Sequence, residues 1–139
     1  VRELLLLDTC AVIWISSEEA EITAEALDAL ERAQEVGEST YVSPITAWEL
    51  GLLVARGRLS LLMSPERWFE RLLQAPGIEL ADMPPEVLIA SSFLPGEPPR
   101  DPADRIIAAT AREFGLTLVT RDKPLLTYAG QGHVRAICC

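Results

Sequence analysis

Four carboxylates sit in stretches where an acid has no solvent to face. Asp8 ends the run Leu4-Leu5-Leu6-Leu7 and is followed by Cys10-Ala11-Val12-Ile13-Trp14. Glu49 is the one charged residue in the body of the apolar segment that opens Ser43-Pro44-Ile45-Thr46-Ala47-Trp48. Asp104 shares a helical stripe with Ile107, Ala108 and Ala111, and Asp122 lies just past the apolar stretch 116–120. An ionised carboxylate in such surroundings is unfavourable unless it is paired or coordinates a metal. Several of them in one partly dry cleft repel one another unless something neutralises them. A divalent cation does this best, and all-oxygen ligands favour Mg²⁺ or Mn²⁺ over zinc. Such a site activates water against an anionic substrate, as in phosphodiester hydrolysis.

Each acid also has a plainer use. Asp101, one turn before Asp104, precedes Pro102 and makes a good N-cap; it either joins the cluster or faces outward. Asp122 can cap a turn, and Asp104 can sit in the positive end of its helix dipole. Glu49 can pair with an arginine, and Asp8 can accept from backbone amides. Other chemistries have little to stand on. The single histidine, His133, reads as structural or surface, which leaves no Ser-His-Asp, Cys-His or histidine-rich metal site. No G-x-S-x-G, G-x-G-x-x-G or Walker A run occurs. Cys10 reads as a small apolar filler. With Cys138 and Cys139 it makes an odd count of three, with no C-x-x-C spacing and no disulfide framework.

The elements around these acids alternate. Residues 4–7 form a strand buried on both faces, of the kind found inside a parallel sheet. A loop follows around Ser16 and Ser17, then helical spacing over residues 24–36. Residues 40–42 are a short strand. Ser43 and Pro44 start a helix to about Arg56, apolar nearly all round and so expected to be deeply buried. Residues 59–63 are ambiguous, readable as the tail of a hairpin of helices. Ser64 and Pro65 start a helix to Gln74, 78–80 is a strand candidate, and Pro84-Pro85 opens a helix to about Phe93. After a Pro/Gly-rich loop, Asp101-Pro102 starts a helix to Phe114, closed by Gly115. Residues 116–120 and 134–138 are strands flanking a short helical piece. The order predicts right-handed crossovers and an α/β fold, with helices on both faces of a parallel sheet. In it Asp8, Glu49, Asp104 and Asp122 stand at strand ends or early in helices, which is one edge.

The bulk numbers agree with one domain, 1–139, with ample core: 139 residues, 49% hydrophobic. The apolar runs are too short to span a bilayer. No basic n-region or cleavage site opens the chain, so no signal peptide is expected, and a reducing cytoplasm is the expected compartment. The net charge of −9 argues against a nucleic-acid partner. Its distribution softens that argument: residues 1–50 hold eleven acids against Arg2 and Arg32, while the remainder balances ten against ten. The bases cluster at 56–58, 67–71, 100–105 and 121–123.

Taken in order, Leu6-Leu7-Asp8-Thr9, the Ser43–Leu50 segment, Asp101-Pro102-Ala103-Asp104-Arg105 and Val119-Thr120-Arg121-Asp122 resemble the PIN domain, and most nearly the VapC-type toxin ribonucleases. The likeness covers essentially the whole chain. It implies a three-layer α/β/α fold with a mostly parallel sheet of about five strands. It also implies a Mg²⁺- or Mn²⁺-dependent endoribonuclease, a small antitoxin partner and a homodimer. The matching acids are Asp8, Glu49, Asp104 and Asp122, with Asp101 the extra acid of the D-P-x-D-R branch; these would be catalytic and metal-holding. Thr9 and Thr120 match polar positions beside the site. Arg100, Arg105, Arg121 and Lys123 are candidates to steady an RNA backbone. The chain departs from that branch at Pro99-Arg100 and Ala103, where a His-x pair and an aromatic are usual. Two other readings remain. One is a degenerate PIN-like module that binds nucleic acid or protein. The other is a haloacid-dehalogenase-like phosphatase, which needs a second Asp where Cys10 stands.

Overall fold

The computed structural model describes residues 3–17 and 20–139, so Arg2, Glu18 and Glu19, counted in the charge pattern, lie outside the described residues. Five strands form one sheet: β1 (Leu5–Leu7), β2 (Thr40–Val42), β3 (Ile78–Leu80), β4 (Thr117–Thr120) and β5 (Arg135–Cys138). The spatial order is β3-β2-β1-β4-β5, and every neighbouring pair is parallel. β1 is central because its three leucines are apolar on both faces and almost fully buried. Alternation along the strand sends Leu5 and Leu7 into a core with Val12, Ala26, Ala33, Val42 and Val119. Leu6 enters a second core with Ile107, Ala108, Leu118, Leu125 and Tyr128. Each buried leucine contributes about 1.5–3 kcal/mol relative to exposure.

Among the described residues seven helices cover the sheet: α1 (Thr9–Ile15), α2 (Ala24–Glu35), α3 (Pro44–Ala55), α4 (Pro65–Gln74), α5 (Pro85–Ala90), α6 (Pro102–Phe114) and α7 (Lys123–Gly130). The three-layer α/β/α expectation holds, with a sheet that is wholly parallel. In a parallel sheet each strand feeds a helix that starts at the carboxyl edge and runs back. Asp8, Ser43 and Asp122 are therefore the residues at which β1, β2 and β4 hand over to α1, α3 and α7, and each caps its helix with its side chain. Asp101 does the same for α6, which returns to β4.

Four local readings change. Residues 9–15 form α1, where the sequence reading placed no helix. The apolar, partly β-branched run hides the helical period, and Asp8 reads equally well as a strand end. Residues 59–63 are a connecting loop. α5 stops at Ala90, and residues 91–93 are a turn. α3 is not deeply buried: Thr46 and Leu50 are its only fully buried residues, and Trp48 is 55% exposed. Its apolar character on all faces therefore includes one that the described chain leaves open.

Candidate active site

Asp8, Glu49, Asp101, Asp104 and Asp122 all line one cavity of about 830 Å³ at the carboxyl edge of the sheet. Thr9, Cys10, Ile13, Trp14, Leu53, Arg121, Lys123 and Pro124 complete its wall. Five carboxylates, four from three helix starts and one from a helix body, thus face two cations. The convergence expected from the sequence is what the fold produces. The plain readings hold beside it for four acids, since Asp8, Asp101 and Asp122 cap their helices and Asp104 lies in the first turn of α6, but Glu49 pairs with no arginine among the described residues and accepts from Thr9 instead.

Asp8 is the deepest, at 2% exposed. The Ala11 N–H donates to its Oδ1 at 2.8 Å, and the Thr120 hydroxyl donates to Oδ2 at 2.5 Å. The Cys10 thiol lies 3.2 Å from both oxygens. Burial nevertheless raises its pKa, because desolvation outweighs the three donors, and Asp122 adds repulsion. The Thr120 hydroxyl also accepts the Asp122 N–H at 2.9 Å, while Asp122 Oδ2 accepts from the Leu125 N–H at 3.1 Å. Asp101 Oδ2 accepts the Asp104 N–H at 3.0 Å, which fixes the start of α6.

Glu49 is reached from α1. The Thr9 hydroxyl donates to its Oε1 at 2.5 Å, and Thr9 and Thr46 hydroxyls are 3.0 Å apart. A hydroxyl has one hydrogen, so Thr46 is the donor to Thr9 in this chain of bonds. Burial raises the Glu49 pKa, and Asp101, Asp8 and Asp122 add to it. Asp104 is pushed up to about 8, first by burial and then by Asp122, Asp101, Glu49 and Asp8. These acids feel one another, and a cation at their centre would relieve all of them.

The donor set fits a hard divalent ion: carboxylate oxygens only, no competing imidazole, and an excess of negative charge. Among the described residues no three acids yet stand close enough to form a finished metal cage. The caps hold Asp8, Asp101 and Asp122 at the starts of their helices.

The candidate bases divide. Arg121 and Lys123 line the cavity. Arg105 is spent elsewhere: its Nε donates to the Ser91 carbonyl at 3.0 Å and its Nη1 to the Pro99 carbonyl at 2.9 Å, tying the loop after α5 to α6. Arg100 is exposed and is not among the cavity's lining residues. Cys10, read from sequence as apolar filler, faces the cavity, and burial beside Asp8 pushes its thiol up to about 12. His133 packs its ring against Tyr128, centroids 5.3 Å apart, as a structural residue. Trp14, Leu53 and Thr46 were not singled out as site residues. Only Trp14 carried a signal, as an aromatic one helical turn past Cys10.

With this geometry the fold and the acids define a class, and residues 5–130 match the PIN domain family; the chain belongs to it. It is 34% identical over 124 residues, 89% of this chain and 91% of the relative, to ribonuclease VapC22 of Mycobacterium tuberculosis. Among solved structures, FitAcB from Neisseria gonorrhoeae aligns over 96% of both chains with a TM-score of 0.58 and 26% identity. VapBC2 from Rickettsia felis, bound to a DNA fragment from its promoter, aligns over 97% of this chain and 98% of that one with a TM-score of 0.68. At 15% identity that second likeness shows the fold alone.

Proposed function

We propose that this chain is a divalent-metal-dependent endoribonuclease, the toxin of a toxin–antitoxin pair. The observation that carries the reading is the gathering of five carboxylates, three with raised pKa, on one open cavity at the carboxyl edge of a PIN domain sheet. The name of the ribonuclease relative supports the substrate class.

Asp8, Asp104 and Asp122 would hold Mg²⁺ or Mn²⁺, with Glu49 and Asp101 reaching a second ion or the attacking water. The bound ion supplies Lewis acidity toward a phosphodiester oxygen and a lowered pKa for water. The chain's own residues do the rest. Thr120 orients Asp8 through its short hydrogen bond, and the Thr46–Thr9 chain orients Glu49. Glu49, whose pKa burial raises, is suited to exchange a proton with water or a leaving oxygen. Arg121 and Lys123 oppose the acids and give the RNA phosphates a cationic wall.

The family points to an antitoxin and a second copy as partners, and the open apolar face at Trp48 gives them somewhere to bind. No helix among the described residues is long and apolar enough to cross a membrane. The test is incubation of purified protein with a mixed cellular RNA pool in Mg²⁺, in Mn²⁺ and in chelator. Discrete cleavage that needs the metal is expected. Cleavage undiminished by chelator would reject the metal-carboxylate chemistry, leaving only the fold.

A further inference from the structure

We infer that Trp14 is a positioning residue for RNA, acting through Arg121. The Arg121 guanidinium carbon lies over the Trp14 ring, 3.8 Å from its centroid, well within cation–π range. The indole is itself held: its Nε1 donates to the Glu21 carbonyl at 3.1 Å. Both residues line the acidic cavity.

Among the described residues Arg121 makes no ion pair and spends none of its side-chain N–H groups on a hydrogen bond, although it immediately precedes Asp122. Its face is pinned and its edge is free. That is the state in which a guanidinium best meets a phosphate, because planar donors already oriented lose little freedom on binding. Arg105, by contrast, has its donors on two carbonyls, and Lys123 is a flexible point charge. Arg121 therefore grips a backbone phosphate beside the one being cut. The indole keeps the guanidinium off the five acids, with which it would otherwise pair and neutralise itself. The inference rests on the reading of the cavity as an RNA site.

The probe is a fluorescently labelled single-stranded RNA 20-mer of mixed sequence, bound to the full chain in Ca²⁺ and followed by anisotropy across a KCl series. Arg121→Ala should weaken binding about tenfold and reduce the slope of log K against log salt by about 0.7, the share of one single-strand phosphate contact. Trp14→Leu should weaken it about threefold to fivefold. Trp14→Phe, which keeps an aromatic face, should stay near wild type. The double variant Trp14→Leu/Arg121→Ala should match Arg121→Ala alone, because the indole acts only through the arginine. Multiplying effects in the double variant, or a Trp14→Phe protein as weak as Trp14→Leu, would overturn the proposal. So would a wild-type protein that does not bind the RNA. Cleavage of the same RNA in Mn²⁺ is read separately: binding with this pattern but no cleavage would count against the ribonuclease reading and leave the Trp14–Arg121 assignment standing.

Discussion

The Thr120 hydroxyl joins two acids: it donates to Asp8 Oδ2 at 2.5 Å and accepts the Asp122 N–H at 2.9 Å. Thr120 is fully buried at the end of β4, and its bond to Asp8 is buried with it. Thr120→Val keeps the shape and removes both hydrogen bonds. We expect a loss of about 1–2 kcal/mol in stability, since a buried carboxylate and a backbone N–H lose a partner. Metal affinity and cleavage should fall roughly tenfold or more, as when a residue orienting a metal ligand is removed. Thr120→Ser should recover most of both. Denaturant titration and Mn²⁺ binding read the two effects separately.

Asp104 makes stability depend on pH in the direction opposite to an ordinary surface acid. Its folded pKa of about 8 lies above its usual value of 3.8, so between these pH values the folded state holds a proton that the unfolded chain has released. The stabilisation is fully present below about pH 4 and is lost as pH rises through about 8. Asp8 and Glu49, also raised, act in the same sense. Metal-free protein should therefore melt at a lower temperature at pH 8 than at pH 5.5, by roughly 5 °C. Asp104→Asn should flatten most of that dependence. Mn²⁺, which prefers the ionised acids, should raise the melting temperature more at pH 8 than at pH 5.5. A metal-free protein that gains stability toward pH 8 would contradict the burial and mutual repulsion that raise these acids.

Arg105 is expected to be structural. Arg105→Ala leaves the Ser91 and Pro99 carbonyls without their donor and loosens the loop between α5 and α6. The melting temperature should fall by about 3–5 °C. The salt dependence of RNA binding should not change, whereas a phosphate-contacting arginine would alter its slope.

The thiols should separate in reactivity. Cys10 and Cys138 are both exposed, but Cys10 is pushed up to about 12 by burial of its sulfur and by Asp8. The thiolate is the reactive form. At pH 7.5 an alkylating reagent should label Cys138 first, with Cys10 reacting fully only after unfolding, as peptide mass spectrometry would show.

The sheet was readable because β1 is apolar on both faces and strands alternate with helices, and only crossovers join strands in that order. The acids were readable because each broke a local apolar pattern. What the sequence did not disclose depends on contacts between distant segments. Thr46 reads as one more polar residue early in a helix, and its bond to Thr9 spans 37 positions. The helix α1 was hidden by a run of β-branched and apolar residues that suits a strand as well. Arg105 looked free because its carbonyl partners belong to backbone, which carries no sequence signal. The uniform hydrophobicity of α3 suggested depth, whereas Trp48 shows that one of its apolar faces lies on the surface.

The central claim, that carboxylates on this cavity carry out RNA cleavage, is tested most directly by Asp8→Asn. The substitution removes charge and keeps volume: its amide oxygen can still accept the Ala11 N–H, and its NH2, in the place of Oδ2, can donate to the Thr120 hydroxyl. Wild-type and variant proteins, purified identically, are compared on the same cellular RNA pool in Mn²⁺, with circular dichroism and melting run beside them. The account predicts a folded variant whose cleavage is reduced at least a hundredfold. A folded variant that cleaves the pool as wild type does would contradict it.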